Sequence, residues 1–322
     1  MTTPSAQPAH AVASPKLTGV IVTYKSSKTI SAALASAKKC VDAGVMNLII
    51  VDNASPDDTR DILAREAGFA KVILGDSNIG FGRGCNVGLM ATTTPYVVFF
   101  NPDAQMEPDA VRTIVNFMDA HDRCGICGPA IQSGEGADLH IQAVGALPRV
   151  ADVVGDAMGL HTTYRRRQAV TPGAAPFRTD WVSGSMLVGR TQLLQKLGGF
   201  DPRYFLYWEE ADLCRRVLNE GYEIWAVPQA VVSHIGGVSA AEESNDRIKG
   251  CIAKFYYESR YYYMRKHFGA LPATLAELTE VIALPAYETL RKLTGRKHQP
   301  PLRRWGHPIL KLPAPVVENN RA

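Results

Sequence analysis

Three carboxylates stand close together in the segment WEEADLCRR, which covers residues 208–216. Neighbouring carboxylates raise one another's pKa, and a raised pKa suits a general base that works near neutral pH. The aromatic sequence FDPRYFLYW, which overlaps the start of this segment, could line a sugar-binding site. Acidic residues also occur at helix starts for structural reasons, because the helix macrodipole favours them there. We predict that Glu209, Glu210 and Asp212 belong to a catalytic centre.

A second candidate site is the tripeptide NPD at residues 101–103, directly after the apolar run YVVFF. Its amide and carboxylate oxygens are hard ligands of the kind that Mg²⁺ and Mn²⁺ accept together with a diphosphate. A simple turn is the alternative, because Asn-Pro is a common turn opener. His234, in the segment VVSHIGG, could supply a further ligand, although an isolated histidine is more often structural.

The segment DSNIGFGRGCNVG at residues 76–88 is a glycine-rich loop that runs into a helix. Backbone N–H groups and the positive end of the helix could therefore face a phosphate. The segment does not fit GxGxxG, since Cys85 or Val87 occupies the third glycine position, and GxxxxGK[ST] occurs nowhere in the chain. A hydride-transferring Rossmann enzyme and a P-loop NTPase are therefore disfavoured.

These motifs must be positioned by regular elements, and residues 17–127 have the pattern of an α/β fold. Apolar strands are predicted at residues 17–24, 47–53, 71–75 and 96–101, with helical spacing between them. Buried strands separated by helices indicate a mainly parallel sheet flanked by helices, with ligands at the carboxyl ends of the strands. The polar residues at those ends are Thr23, Tyr24, Asp52, Asn53, Asn101 and Asp103.

The rest of the chain is less regular. Beyond residue 127 a stretch rich in Gly, Ala and Pro includes Arg165, Arg166 and Arg167, and we predict an irregular segment over the crevice. The pattern then predicts a strand over residues 181–190, a helix from Glu209 to Asn219, and two tail helices over residues 246–267 and 274–294.

Composition limits the class of protein. The chain has 322 residues, of which 46% are hydrophobic, and a formal net charge of +4, as expected of a soluble globular protein. No apolar run approaches the roughly 18 residues that span a bilayer. Residues 1–15 lack the pattern of a signal peptide, and we expect a disordered leader. Six cysteines without an export signal indicate reduced thiols and a cytosolic location.

The positive charge is concentrated in the tail. Residues 1–245 have 21 Lys and Arg against 25 Asp and Glu, whereas residues 246–322 have 14 against 6, a net charge of +8. A nucleic acid or an anionic membrane surface could bind such a tail. Aromatic residues beside basic ones in residues 255–266 favour the membrane, since interfacial helices combine these types. The tyrosines could instead pack against the catalytic domain.

Seven motifs occur in the order and approximate spacing of a known family. They are TY (23–24), VDNASPDDT (51–59), SNIGFGRGCNVG (77–88), FFNPDA (99–104), WVSGSMLVGR (181–190), GGFDPRYFLYWEEADLCRR (198–216) and VSHIGG (232–237). Over residues 17–265 the chain resembles the family 2 glycosyltransferases, in particular their rhamnosyltransferase-like branch. The resemblance implies a GT-A catalytic domain over residues 16–245, with a nucleotide-binding half at 16–130 and an acceptor half at 131–245. A basic helical extension would follow over residues 246–322.

The resemblance also implies roles for individual residues. Donor contacts would come from Thr23, Tyr24, Asp52, Asn78, Gly80, Arg83, Asn86 and Asn101, and acceptor contacts from Trp181, Gly184, Tyr207 and Trp208. Asp103 takes the last acidic position of the family's DxD metal motif, whose first position is Asn101 here, and His234 completes the site for Mg²⁺ or Mn²⁺. Glu209 and Glu210 match the family's Glu-Asp pair, whose second member is usually the base. Glu210 is therefore the predicted base, with Glu209 as the alternative.

The reaction implied by the resemblance is transfer of a sugar, with inversion, from a nucleotide-sugar to a hydroxyl group of a cell-surface polysaccharide or lipid-linked saccharide. The branch favours dTDP-L-rhamnose as the donor, and we expect the cytoplasmic face of the membrane as the location and no nucleic-acid partner. A sugar nucleotidyltransferase is an alternative, although its glycine-rich loop after the first strand is replaced by VTYKSSK. A non-catalytic nucleotide-sugar-binding subunit is another, although the acidic and metal positions are retained.

Overall fold

The computed structural model describes residues 14–133, 143–158, 160, 166–234, 247–294 and 309–314. Its strands are β1 (Leu17–Thr23), β2 (Met46–Asp52), β3 (Lys71–Leu74), β4 (Tyr96–Phe100), β5 (Ala104–Met106), β6 (Cys124–Ser133), β7 (Val144–Gly145), β8 (Arg167–Gln168), β9 (Phe177–Thr179), β10 (Trp181–Val182), β11 (Met186–Arg190) and β12 (Glu223–His234). Its helices are α1 (Ile30–Asp42), α2 (Thr59–Glu66), α3 (Phe81–Met90), α4 (Pro108–Ala120), α5 (Val150–Ala157), α6 (Thr191–Lys196), α7 (Glu209–Asn219), α8 (Arg247–Phe268) and α9 (Ala270–Thr294). The four strands predicted for the first part of the chain are confirmed as β1 to β4.

The main sheet has the strand order β3-β2-β1-β4-β11-β6-β12-β5, and β9 also pairs with β12. Strands β3, β2, β1 and β4 are parallel, so their carboxyl ends lie at one edge, where Thr23 of β1 is level with Asp52 of β2. Strand β11 is antiparallel to β4 and leads to the parallel pair β6 and β12. The predicted α/β class with a central sheet flanked by helices is confirmed. A small second sheet has the order β10-β7-β8.

Apolar side chains cover both faces of the main sheet, as expected of strands that lie between helices. Successive residues of β1 point to opposite faces, because side chains alternate along a strand. Val20 belongs to the cluster that includes Leu89 of α3, whereas Ile21 belongs to the cluster that includes Leu34 of α1. Helices thus pack on both faces of the sheet, and the polar residues at the strand ends are held on a rigid framework.

Helix α3 lies close to the sheet because two of its glycines face β1. A Cβ atom at Gly84 would lie 2.7 Å from the Val22 side chain, and one at Gly88 would lie 2.3 Å from Val20. Glycine inside a helix costs about 1 kcal/mol relative to alanine, so close packing on the strand explains its presence here. The glycine-rich segment of the sequence therefore has two parts, a short loop that ends at Gly80 and a tightly packed helix.

Two predicted elements differ from the structure. Residues 181–190 form two strands, because the turn at 183–185 carries the chain from β10 in the small sheet to β11 in the main sheet. The second tail helix begins at Ala270, four residues before the predicted start, directly after Gly269 with its φ of 93°.

Helix α8 packs against α7 and the core of the main sheet. Tyr257, Tyr261, Tyr262 and Tyr263 are all buried. The interpretation of these tyrosines as membrane contacts is therefore wrong, and the alternative, that they pack inward, is confirmed. Helix α9 is in turn held to α8 by Arg260, whose guanidinium group donates to the carboxylate of Glu277 at 2.9 Å from both Nε and Nη2.

Within the described residues, no helix is long and apolar enough to cross a membrane. The thiols of Cys40, Cys85, Cys124, Cys127 and Cys214 are free and buried. Several predictions concern residues outside the described ranges: the leader up to residue 13, parts of the irregular segment at 134–142 and 161–165, and most of the basic stretch at 295–308.

Candidate active site

The carboxyl ends of β1 and β2 hold an ionised aspartate. Asp52 is fully buried and accepts hydrogen bonds from Thr23 Oγ1 at 2.9 Å and from Arg60 Nε at 2.6 Å. Burial alone would raise the pKa of Asp52, but the hydrogen bonds from Ser55, Arg60 and Thr23 outweigh it, and the net pKa is lowered. Sequence reasoning missed Arg60, although its place at the start of α2, eight residues after Asp52, was visible.

The glycine-rich loop is tied to the same strand ends. The Gly80 N–H donates to Asn78 Oδ1 at 3.0 Å, and Asn53 Nδ2 donates to the Gly80 carbonyl at 3.0 Å. Gly80 has a φ of 89°, and a Cβ there would lie 2.4 Å from the Phe205 carbonyl oxygen, so only glycine fits. The N-terminus of α3 is therefore held beside the ends of β1 and β2, where Tyr24 is 41% exposed.

Two residues predicted to bind the donor also hold α3 in place. Asn86 Nδ2 donates to the Phe200 carbonyl at 2.7 Å, and its Oδ1 accepts from the Phe200 N–H at 2.8 Å. Arg83 Nε donates to the Pro202 carbonyl at 2.6 Å. Both side chains connect α3 to the turn before α7. The Asn86 amide keeps a second N–H donor, so its contact with the donor stays a prediction, as does that of Arg83.

Asn101, Asp103 and His234 converge between β4 and the end of β12. Asp103 Oδ1 lies 3.0 Å from His234 Nε2, and Asn101 Nδ2 lies 3.3 Å from the same nitrogen. Two ligands bound at right angles with bonds of about 2.1 Å lie about 3.0 Å apart, so the Asp103 and His234 atoms could share one divalent ion. The described residues include no group of three His, Cys, Asp or Glu side chains that could hold a metal. Remaining ligands would have to be oxygens of a bound diphosphate or water, as Mg²⁺ and Mn²⁺ accept.

Glu209 and Glu210 begin α7 but have different surroundings. Glu209 is 4% exposed, and its Oε2 is buried without a hydrogen-bond partner. Burial, followed by the charge of Glu210, raises the pKa of Glu209 well above the ordinary glutamate value. Glu210 lines an open pocket, and burial raises its pKa too, although the charge of Arg167 and hydrogen bonding by Trp181 oppose that rise. Glu210 can thus meet a substrate, whereas Glu209 cannot do so without rearrangement.

The pocket around Glu210 is small, with a cavity volume of about 50 Å³, and is partly open to solvent. Of the predicted acceptor residues, Trp181, Tyr207 and Trp208 line it. Gly184 lies beside it, since a Cβ there would be 3.8 Å from the Glu210 Cβ. Lining residues that the sequence prediction did not include are Ala146, Pro148, Asp152, Arg166, Arg167, Ala211 and Tyr256. In the sequence, the run of three arginines at residues 165–167 could have indicated that Arg166 and Arg167 line a site.

The turn at residues 183–185 connects this pocket to the carboxyl end of β4. The Ser185 carbonyl accepts a hydrogen bond from the Asn101 N–H at 3.2 Å. A Cβ at Gly184 would lie 3.6 Å from the Phe81 ring, at the start of α3, on one side and close to Glu210 on the other. The metal candidates, the start of α3 and the Glu210 carboxylate therefore surround one short turn.

The residues directly before Glu209 have an unusual backbone. Tyr207 and Trp208 have φ values of 68° and 71°, in the left-handed region that bulky residues rarely adopt. The Trp208 ring lies 5.2 Å from that of Tyr263, and the Tyr207 ring lies 5.9 Å from that of Tyr256, both on α8. Packing against α8 thus stabilises the conformation that places the aromatic rings and Glu210 around the pocket.

Asp212, predicted to be catalytic, has a different environment. It is fully buried, with Oδ1 2.8 Å from His267 Nε2 and 2.6 Å from Lys266 Nζ, and Oδ2 2.7 Å from Arg216 Nε. Burial would raise the pKa of Asp212, but His267, Arg216 and Lys266 outweigh it and lower the pKa. We therefore remove Asp212 from the catalytic set, because its ion pairs fasten α7 to α8 and leave it no access to the pocket.

The chain is similar to a known protein family and to several proteins of known activity. The family model described as "Glycosyl transferase family 2" matches residues 18–184. The chain is 28% identical, over 231 residues, to N-acetylglucosaminyl-diphospho-decaprenol L-rhamnosyltransferase of Mycobacterium tuberculosis, covering 67% of this chain and 74% of that protein. It is 26% identical to rhamnosyltransferase WbbL of Escherichia coli over 157 residues, which are 46% of this chain and 58% of that protein.

A solved structure with a similar fold is that of mannosyltransferase PcManGT from Pyrobaculum calidifontis, in complex with GDP-Man and Mn²⁺. The TM-score is 0.56 at 16% sequence identity, with 91% of this chain and 83% of that chain covered. This likeness supports the GT-A fold that the sequence motifs implied.

Proposed function

Since the chain belongs to glycosyl transferase family 2, and is thus a glycosyltransferase, we propose that it transfers L-rhamnose from dTDP-rhamnose to a hydroxyl group of a lipid-linked saccharide, on the way to a cell-surface polysaccharide. Two relatives are named as rhamnosyltransferases, and one name specifies an N-acetylglucosaminyl-diphospho-decaprenol acceptor. The observation that carries the proposal is the placement of Glu210 in an open pocket beside the turn at 183–185.

The donor would bind at the carboxyl ends of β1, β2 and β4. In this proposal Thr23, Tyr24 and the ionised Asp52 contact the nucleoside, while Asn78 and Gly80 position the loop whose following N–H groups, at the start of α3, face the diphosphate. Arg60 keeps Asp52 charged and oriented. These residues bind and orient the donor and take no proton.

A divalent ion, Mg²⁺ or Mn²⁺, fits beside Asp103 and His234. With Asn101 next to them, these two residues would hold the ion, which would stabilise the negative charge on the departing diphosphate. Ligand oxygens have to complete its coordination, so we expect the ion and the nucleotide-sugar to bind together.

Glu210 would act as the general base. The acceptor hydroxyl gives its proton to the Glu210 carboxylate as its oxygen forms a bond to the anomeric carbon. The bond from that carbon to the diphosphate oxygen breaks on the opposite face, and the leaving group takes the electron pair, so the configuration inverts. Trp181, Tyr207 and Trp208 provide aromatic walls for the acceptor saccharide, and Gly184 leaves room beside Glu210.

Helix α9 offers a surface for peripheral attachment to the cytoplasmic face of a membrane. Leu271, Leu275, Leu278 and Ile282 are three or four residues apart, share one face of the helix, and are between 40% and 74% exposed. Residues 291–311, which begin on the same helix, contain seven Lys and Arg and no Asp or Glu. An apolar stripe next to a basic segment suits the surface of an anionic bilayer.

Donor choice can be tested by incubating the full chain with a panel of nucleotide-sugars and Mn²⁺ and measuring release of nucleoside diphosphate. dTDP-L-rhamnose should be turned over fastest. Faster turnover of a UDP-sugar or GDP-sugar would contradict the proposed donor, and no turnover of any donor would contradict the proposed activity.

A further inference from the structure

A basic groove lies next to the glycine-rich loop that ends at Gly80, called the donor loop below, and apart from the Glu210 pocket. We propose that this groove binds the diphosphate of an ester that carries an apolar chain. The groove has a cavity volume of about 250 Å³, is partly open to solvent, and lies between α3, the turn before α7, helix α8 and the segment at residues 309–314. The inference rests on the lipid-linked acceptor of the proposed function, to whose diphosphate it assigns a site, and its test requires neither donor nor metal.

Four cations from four separate parts of the chain meet in this groove. They are Arg83 of α3, Arg203 of the turn, Lys254 of α8 and Lys311 of the C-terminal segment. One carboxylate, Glu258, lines the groove with them and lies 3.0 Å from Lys311 Nζ. Such a concentration of positive charge from distant sequence positions disfavours the compact state unless an anion compensates it.

The two arginines are held in place before any ligand arrives. Arg83 Nε donates to the Pro202 carbonyl at 2.6 Å, and four further N–H donors remain on its guanidinium group. The Arg203 guanidinium carbon lies 4.3 Å from the centre of the Tyr262 ring, and its Nε is buried without a hydrogen-bond partner. Because both residues line the groove, the other N–H donors of their guanidinium groups are available to phosphate oxygens.

The other walls of the groove are apolar. The Phe205 and Phe255 rings stack with centroids 4.4 Å apart, and Leu312 and Pro313 also line the groove. A free inorganic anion would leave these surfaces uncovered, whereas an isoprenoid-like chain attached to the diphosphate would cover them. The combination of cations and apolar walls therefore favours a lipid-linked diphosphate over a soluble one.

Phe205 separates the groove from the donor loop. Its carbonyl accepts a hydrogen bond from the Phe81 N–H at 3.2 Å and lies against Gly80. Its ring stacks on Phe255 in the groove. A diphosphate in the groove would therefore bind on the opposite side of Phe205 from the donor loop. The groove would be a second anion site.

Isothermal titration of the full chain with farnesyl diphosphate and with inorganic pyrophosphate, both in excess EDTA, tests the proposal. The double variant Lys254→Gln/Lys311→Gln removes two solvent-exposed cations and should weaken farnesyl diphosphate binding at least about tenfold, because two charge-assisted contacts to the diphosphate are lost. The matched control is Lys71→Gln, on the edge strand β3 outside the groove, and it should bind as the unmodified chain does.

The two probes identify the source of the anion. Tighter binding of farnesyl diphosphate than of pyrophosphate, with both weakened in the double variant, supports a lipid-linked diphosphate as the occupant. Equal binding of the two probes, also weakened in the double variant, supports the anion site but overturns the apolar chain. Unchanged binding in the double variant, or an equal loss in Lys71→Gln, overturns the proposal.

Discussion

Glu209 and Glu210 are adjacent in the chain, yet Glu210 lines the open pocket while Glu209 is 4% exposed and leaves its Oε2 without a partner. The difference follows from the start of α7, where the left-handed backbone of Tyr207 and Trp208 sets the direction of the helix. Successive helix residues are turned by about 100°, so one carboxylate faces the core and the other faces the pocket. The identity of the base is thus decided by geometry in the proposed mechanism.

Removing the Asp103 carboxylate should abolish metal-dependent turnover. Asp103→Ala leaves His234 as the remaining strong ligand among the described residues, and we expect Mn²⁺ binding, followed by electron paramagnetic resonance, to weaken at least about tenfold. Asp109→Ala, an exposed aspartate on α4, is the matched control. Full activity of the Asp103 variant in excess chelator would contradict the metal role.

The pH dependence of turnover should report the surroundings of Glu210. Burial raises the pKa of Glu210, and a base works only when deprotonated, so the rate should fall with decreasing pH at a value above the usual glutamate pKa of about 4.3. Arg167→Gln removes a charge that lowers this pKa and should move the acid limb to higher pH. Arg178→Gln, paired with Glu223 elsewhere, should leave the limb unchanged. An acid limb that moves to lower pH in Arg167→Gln would contradict the assignment.

Asp212 should stabilise the fold in a pH-dependent way. Its pKa is lowered in the folded state, so its contribution is fully present above the unfolded aspartate pKa of about 3.9 and is lost as the pH falls through the folded value. Asp212→Asn removes the carboxylate partner of Arg216 and one of the two carboxylate partners of Lys266, and should cost about 3 kcal/mol at pH 7 by urea denaturation. The difference between the two proteins should shrink below about pH 4. A loss that is equal at pH 7 and pH 3 would show that packing, rather than charge, carries the effect.

The exposed stripe of α9 should govern attachment to lipid. Leu275→Gln/Leu278→Gln should reduce co-sedimentation with anionic vesicles about tenfold or more, because each leucine contributes about 1.5 to 3 kcal/mol when fully buried. Leu74→Gln, at a leucine of β3 that is 56% exposed, is the control and should bind normally. Raising the salt concentration should also weaken binding through the basic segment. Undiminished sedimentation of the α9 variant would contradict the membrane role.

Much of the sheet was predictable because its strands are continuous apolar runs that end in polar residues. Thr23, Asp52, Asn101 and Asp103 could be placed at strand ends from local sequence, and the parallel order of β1 to β4 brings those ends together. The break at residues 183–185 was not predictable in the same way. Apolar residues on both sides of it continue one pattern, and the chain leaves the sheet only because β10 joins a different one.

The contacts that the sequence did not indicate come from distant parts of the chain. Asp212 has the sequence context of a catalytic acid, but Lys266 and His267 of α8 occupy it. Asn86 lies in the glycine-rich motif, yet Phe200 takes both atoms of its amide. Local sequence carries no information on such contacts, because they depend on how helices dock after the sheet has formed.

The central claim, that Glu210 is the base, is tested most directly by comparing Glu210→Gln with Glu209→Gln in steady-state transfer assays, with donor affinity measured separately. Glu210→Gln preserves shape and removes the proton acceptor, so kcat should fall by about 10² to 10⁴ while donor affinity stays within about twofold. Glu209→Gln should retain most of the activity, because Glu209 does not line the pocket. A large loss in Glu209→Gln together with near-normal turnover in Glu210→Gln would contradict the account.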